Sequence, residues 1–320
     1  MMGPPDWIDM PLTDKQLKHY HREGYLVATN IIPEQFIHDL QEEINGVIDE
    51  QARRLHAEGE ISQLHEELGF LHRGTELGKE SAKVISPVNG GNHSGRAMFN
   101  LITCPGILDI MEQLIGPEIV ASSIYRIRPK LPDKPEGIVP WHQDSGYFHT
   151  CADEHLVPTC WVPLMNATVE AGCMEVLPRS HKQGVFRHYK ANLHAPPLSV
   201  HPDHLPEFDS VPVPADIGDV VLMTNMTPHR STDNSSGLIR WAVDLRYNAP
   251  EAGDYGPGEA GFLARSKKTP ENVITDWREF DRKRKEHVAQ STVDRTWLRY
   301  DEETFLDPAK RADRDLPKLR

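Results

Sequence analysis

Trp141-His142-Gln143-Asp144 sets an imidazole and a carboxylate two residues apart, and on extended backbone such a pair projects to one side of the chain. The two can share one metal ion. A second imidazole, His229, follows the apolar run Gly218-Asp219-Val220-Val221-Leu222-Met223, which reads as a strand able to bring it to the first pair. Two histidines and one carboxylate on one face of an octahedron leave three coordination positions open, the arrangement suited to non-haem Fe(II) oxygenases. Arg240 lies eleven residues beyond His229, across the turn Asp233-Asn234-Ser235-Ser236-Gly237. Its planar guanidinium can grip the distal carboxylate of a keto acid through two parallel hydrogen bonds, and Ser231 can add a hydroxyl to the same group.

Taken singly, each of these is ordinary. With 17 His and 48 acidic residues in the chain, a His-x-Asp triplet arises by chance, and a strand arginine can simply pair with Asp244 or Asp219. The conjunction carries the reading: His-x-Asp, a distant His after a Gly-Asp-apolar strand, then an arginine opening an alternating strand. Three functions are open on it. One is an iron oxygenase that consumes a keto acid. Another is a cupin-like module that holds metal and ligand without turnover. The third is a hydrolase or isomerase using zinc as a Lewis acid on the same ligands.

The elements that must position these residues are readable in outline. Thr13 caps a helix, with Gln16 closing a capping box and Leu12 placed to staple against Leu17; Gly24 ends it. Tyr25 to Ala28 reads as a short strand. After Pro33 the apolar positions Phe36, Ile37, Leu40, Ile44, Val47 and Ile48 follow a helical period, as do Ile107 to Ile115 between Pro105 and Gly116. Residues 52–95 read as polar and mixed, with a loop at Asn89-Gly90-Gly91-Asn92. Past Pro117, short apolar or alternating runs at 119–128, 159–165, 173–177, 219–224 and 238–247 are parted by Pro, Gly, Asp and Asn, a sandwich or jelly-roll pattern. The last run alternates cleanly: Ile239, Trp241, Val243 and Leu245 share one face, and Arg240, Ala242, Asp244 and Arg246 the other. A polar inner face of this kind needs partners, because unpaired buried charge is costly. The chain beyond Pro250 reads as an extension anchored by Trp277, Phe280 and Trp297.

At 320 residues the expectation is a single catalytic domain spanning 1–320, with 1–118 mainly helical, 119–250 the barrel and 251–320 the extension. A formal charge of −13 argues against nucleic acid or an anionic membrane as partner. Cys104, Cys151, Cys160 and Cys173 form neither a CxxC pair nor a zinc knuckle. The opening Met1-Met2-Gly3-Pro4-Pro5-Asp6 lacks an export pattern, and no long apolar run suggests a membrane span. A cytoplasmic enzyme with a small-molecule substrate, monomeric or homodimeric, is the expectation.

Four segments resemble the phytanoyl-CoA dioxygenase-like family of Fe(II)/2-oxoglutarate oxygenases. They are "LTDKQLKHYHREGYLVATNIIPEQFIHDLQEEI", "VPWHQDSGYF", "PTCWVPLMNATVEAGCMEVLPRSHKQG" and "IGDVVLMTNMTPHRSTDNSSGLIRWAVDLRYNAP". The resemblance implies a mainly β fold with flanking helices, a double-stranded β-helix (cupin-like jelly roll) under an N-terminal helical layer. It implies Fe(II) on His142, Asp144 and His229, and 2-oxoglutarate on Arg240, with Ser231 and Trp161 lining that pocket and Arg128 a looser match. It further implies use of O2, release of succinate and CO2, and hydroxylation of an aliphatic carbon of a small metabolite or natural-product intermediate. Related halogenases lack the metal carboxylate, which Asp144 supplies here. Gln143, Tyr147, Phe148 and His149, next to the metal pair, are the candidate substrate contacts. His181, His188, His194, His201 and His204 read as surface histidines.

Overall fold

The computed structural model describes residues 12–91, 93–134, 137–186, 188–192, 195–200, 202–207, 209–253 and 261–290. Trp297, His194, His201 and the first residues of the chain lie outside them. The helical layer begins with α1 (Asp14–Glu23), capped by Thr13 and Gln16 in a reciprocal box and stopped by Gly24 in a left-handed conformation. Strand β1 (Tyr25–Ala28) follows, then α2 (Glu34–Ala57), which buries Ile37, Leu40, Ile44 and Ile48 as their spacing requires.

Two further helices were not anticipated, α3 (Phe70–Glu80) and α4 (Arg96–Ile102); α5 (Pro105–Ile115) starts and stops where expected. The apolar stripe of α3 is interrupted by Arg73, Gly74 and Gly78. Those residues are buried because Arg73 binds Asp49 at 2.6 Å and the carbonyl of Leu64, while the glycines let the helix lie close to Leu131, Ile239 and Trp241. The run Arg96–Ile115 is long and apolar enough to cross a membrane on composition alone. It is divided between α4 and α5, and Met98, Leu101, Ile102, Ile107, Ile110 and Met111 are buried in the core.

The β portion consists of β2 (Ile119–Ala121), β3 (Arg126–Lys130), β4 (Thr159–Pro163), β5 (Met174–Val176), β6 (His188–Asn192), β7 (Ala195–Val200), β8 (Val211–Val213), β9 (Val220–Met223), β10 (His229–Ser231), β11 (Arg240–Asn248) and β12 (Phe262–Arg265). A large antiparallel sheet runs β1-β9-β4-β11-β2-β12, with β3 also on β11. A smaller sheet runs β10-β5-β8, and β6 pairs with β7. Alternation assigns the faces. Cys160 and Val162, Val220 and Leu222, and Ile239, Trp241, Val243 and Leu245 pack toward the helices. Trp161, Val221, Met223 and Ala242 meet Met174, Val176 and Val213 of the small sheet. Two sheets closing over a shared interior make this the jelly roll, with the helices on the outer face of the large sheet.

The segment after residue 250, read from sequence as an appended extension, contributes β12 to the large sheet and then α6 (Trp277–Gln290), whose Phe280 packs on Phe99, Phe262 and Tyr125. Gly261 makes the entry into β12 possible: its φ is +82° and a Cβ there would stand 2.0 Å from the carbonyl oxygen of Ala121. Gly261→Ala is expected to destabilise the protein by about 2–4 kcal/mol, from left-handed strain plus backbone collision, seen as a fall in Tm by calorimetry. An unchanged Tm would show that β12 is not integral to the sheet.

Candidate active site

The metal-binding residues are held by backbone before any ion is involved. His142 and His229 exchange amide hydrogen bonds, His142 N–H to His229 O at 3.0 Å and the reverse at 2.9 Å. This bridge extends the small sheet beyond β10 and places the two rings 4.2 Å apart, centroid to centroid. Each Nδ1 faces a carbonyl two residues back, Pro140 for His142 and Thr227 for His229, both at 2.9 Å. A carbonyl only accepts, so Nδ1 carries the proton and Nε2 presents its lone pair. Burial, reinforced by His229 alongside, holds the pKa of His142 well below the usual imidazole value, which keeps it a neutral ligand. His142, Asp144 and His229 are all buried and offer ligand atoms within 4.8 Å of one another.

Asp144 opens a short 3-10 helix ending at Tyr147. Arg246 clamps its carboxylate from β11, Nη2 to Oδ1 at 2.6 Å and Nε to Oδ2 at 2.9 Å, and the Thr159 hydroxyl also donates to Oδ2. Burial opposes ionisation, but the charge and hydrogen bonds of Arg246 override it and hold the carboxyl far below its normal range. A carboxylate has about four lone-pair sites; three hydrogen bonds leave one for a metal.

Gln143, between the ligands, is fully buried. Its Nε2 donates to the carbonyls of Gly184 and Met226, its Oε1 accepts from Phe186 N–H, and its own N–H donates to His188 Nε2 at 2.9 Å. Its side chain fastens the metal segment to the backbone, with its amide fully engaged there. His188, read from sequence as a surface histidine, is instead buried against that segment, and it fits only because residue 146 is glycine: a Cβ there would meet the ring at 2.6 Å. Phe148 packs with Ala152, Val157 and Ala252. Tyr147 stands edge-on to His142 at 5.8 Å, the candidate contact brought nearest the metal ligands. His149 precedes the 3-10 helix Thr150–Glu154, half-buried.

The inner face of β11 carries Arg240 to a different part of the interior. Its Nε, fully buried, has no hydrogen-bond partner, its Nη1 reaches only the Arg128 carbonyl at 3.4 Å, and its guanidinium lies 5.5 Å from the Trp161 ring. Neither acid that could have neutralised it does so: Asp244 pairs with Arg128 at 2.8 Å, and Asp219 accepts from the amides of Asn30 and Asp216. Lys130 lies directly across from Arg240 in the β3–β11 register and donates to Ser231 Oγ at 2.8 Å and to the Thr232 carbonyl. Burial, with Arg240 beside it, lowers its pKa to about 7. Ser231 Oγ accepts from Lys130 and from Val139 N–H and keeps its own proton to donate. Among the described residues, two buried cations, an orphaned donor and a hydroxyl therefore converge with no acid hydrogen-bonded to them, a fit for a carboxylate. The looser sequence match, Arg128, is engaged by Asp244; Lys130, two residues on, is the residue that joins Arg240.

The Phytanoyl-CoA dioxygenase (PhyH) family model matches residues 20–242, most of the chain. The chain belongs to that family. Among curated relatives, it is 24% identical to a phytanoyl-CoA dioxygenase domain-containing protein 1 homolog of Caenorhabditis briggsae, over 71% of this chain and 88% of that one. It is 27% identical to the peroxisomal phytanoyl-CoA dioxygenase of Homo sapiens, over 55% and 50%. A third relative is a 1-deoxypentalenic acid 11-beta-hydroxylase of Streptomyces arenae, 28% identical over 63% and 75%. In fold it is similar to the non-heme monooxygenase ThoJ (TM-score 0.57, 16% identity, 85% of this chain and 97% of that one) and to iron-bound EctD from S. alaskensis (0.53, 18%, 78% and 81%). Family membership together with the His-Asp-His cluster decides among the three readings left open by sequence. This PhyH-family protein is a 2-oxoglutarate-dependent non-haem iron oxygenase, using Fe(II), 2-oxoglutarate and O2.

Removing Arg246 tests the carboxylate clamp. Without metal, Arg246→Met strands the Asp144 charge and is expected to cost roughly 3–5 kcal/mol at pH 7. Asp144 has a depressed pKa, so in the wild type its contribution is present above the unfolded value near 3.9 and disappears as pH falls below it. The deficit of the variant should therefore shrink toward pH 4, as protonation relieves the unpaired charge. Urea unfolding at the two pH values reads both effects; a loss that does not depend on pH would assign Arg246 to packing alone.

Proposed function

We propose that the protein hydroxylates an aliphatic carbon of a small organic substrate, with Fe(II) on His142, Asp144 and His229, and 2-oxoglutarate anchored by Arg240, Lys130 and Ser231 against Trp161. The observation that carries this is the buried Arg240 guanidinium, its Nε without a partner, sharing the barrel interior with three convergent metal-ligand side chains. A buried charge of this kind is tolerated where a ligand completes it.

Each residue has a physical task. The two imidazoles present Nε2 because Pro140 and Thr227 take the Nδ1 protons, and such orienting partners raise ligand basicity. Arg246 and Thr159 fix the rotamer of Asp144 so that its free lone pair faces the histidines. Three protein ligands on one face leave positions for the keto acid and dioxygen. When bound, the iron and keto acid would activate O2 to replace an unactivated C–H by C–OH, one oxygen atom going to the product and the other to succinate as CO2 is released. Asp144 supports hydroxylation over halogenation, because its carboxylate fills the position a halide would need. The relative named as a hydroxylase of 1-deoxypentalenic acid supports the same outcome.

Anaerobic addition of Fe(II) and 2-oxoglutarate to the protein should develop a weak visible charge-transfer band, and failure to do so would count decisively against the proposal. Asp144→Ala should lose the band. Arg240→Ala should require about 10- to 150-fold more 2-oxoglutarate, the loss of a charge-assisted contact worth about 1.5–3 kcal/mol. Lys130 binds the anion in its protonated form and titrates near 7 in the empty pocket, so affinity for 2-oxoglutarate should fall several-fold as pH rises above 7. Lys130→Met should flatten that slope; an identical slope in the variant would remove Lys130 from the pocket.

A further inference from the structure

The interior wall holds more positive charge than the keto acid and the metal ligands use. Strand β3 alternates Arg126, Arg128 and Lys130 onto the face that meets Asp244, Ala242 and Arg240 of β11 in register, and residues directly opposite in a sheet share a face. With Arg246, that makes, among the described residues, five cations against two acids, Asp144 and Asp244. Four of the five have an occupation: Arg246 on Asp144, Arg128 on Asp244, and Lys130 and Arg240 at the proposed keto-acid pocket. A metal dication and a keto-acid dianion cancel, so filling the site leaves the excess in place.

We infer that the primary substrate bears a carboxylate, and that Arg126 at the barrel mouth is the group that grips it. The inference rests on the proposed positions of iron and 2-oxoglutarate. Arg126 makes no ion pair or hydrogen bond with any described residue and is exposed. It stands opposite Asp244, at the end of β3 away from Lys130 and Arg240 and nearer the strand position of Arg246, hence toward the metal ligands. Electrostatically it senses Arg128, Arg246 and the phenol of Tyr147, the ring that stands against His142; partial enclosure, with those two arginines, lowers its pKa to about 10. One free planar fork matches one carboxylate bidentately. A phosphate dianion would call for a second free cation, and among the described residues the wall has none.

The probes are hexanoate, octanoate and decanoate, each against its primary amide, together with octyl phosphate. Binding is read by saturation-transfer NMR on the protein held with Zn(II) and 2-oxoglutarate, a diamagnetic state that cannot turn over. The acids should bind at least about ten-fold more tightly than the amides, the scale of one charge-assisted hydrogen bond. Arg126→Gln should abolish the preference, and Arg126→Lys should restore part of it. Acids binding no better than amides, neither series binding, a preference that survives in Arg126→Gln, or octyl phosphate binding more tightly than octanoate would each overturn the inference. The anaerobic Fe(II)–2-oxoglutarate band separates the two failures. Retained in wild type and in Arg126→Gln, it leaves the oxygenase site standing whatever the probes show; missing from wild type, it sinks that site and this inference together.

Discussion

A strand buried on both faces has to find partners for whatever charge it carries, and β11 carries three charged side chains inward. Arg240, Asp244 and Arg246 are all buried, so each must be neutralised by another element or by a ligand, at a cost of several kcal/mol wherever this fails. Much of the site follows from how that requirement is met. Arg246 takes Asp144 and thereby holds the metal loop against the large sheet; Asp244 takes Arg128 and ties β3 alongside. Among the described residues no acid pairs with Arg240.

The outer face of the same strand explains why these charges stay where they are. Ile239, Trp241, Val243 and Leu245 sit in the main core beneath the helices. Slipping β11 by one residue would bury its charges among them and turn the indole into the barrel. Register, and with it the separation between the carboxylate clamp and Arg240, is set by apolar packing on the helix-facing side of the sheet. The helical layer, including α3 with its close-approach glycines, acts on the chemistry through this face.

Much of this was readable from the chain. The metal trio announced itself by type and spacing, and the period of two in β11 predicted that Arg240 turns away from the Trp241 face, as it does. The same parity on β3 was present in Arg126, Arg128 and Lys130, but without the register no reading could tell whether those residues faced the arginine or solvent, and the looser match to Arg128 overlooked Lys130. Gln143 and His188 show a different limit. A residue beside a ligand looks like a binding residue, and a histidine outside a motif looks like surface; only the loop around Gly146 reveals that both side chains are spent on holding backbone. Helix α3 escaped notice because a buried Arg73 and two contact glycines interrupt the stripe that periodicity seeks, and β12 because its partner β2 lies about 140 residues earlier in the chain.

The pairing of β1 with β9, and of β2 with β11 and β12, has a consequence for the newborn chain. The clamp on Asp144 needs Arg246, and its metal partner His229 is supplied by β10 of the small sheet, which pairs with β5. During synthesis from the N-terminus, a partial chain that lacks β11 has all three metal-ligand residues but not the Arg246 that clamps Asp144. Topology of this kind slows folding, because distant segments must meet before any contact rewards them. A metal ion arriving before β11 pairs would meet an Asp144 carboxylate that Arg246 does not yet hold.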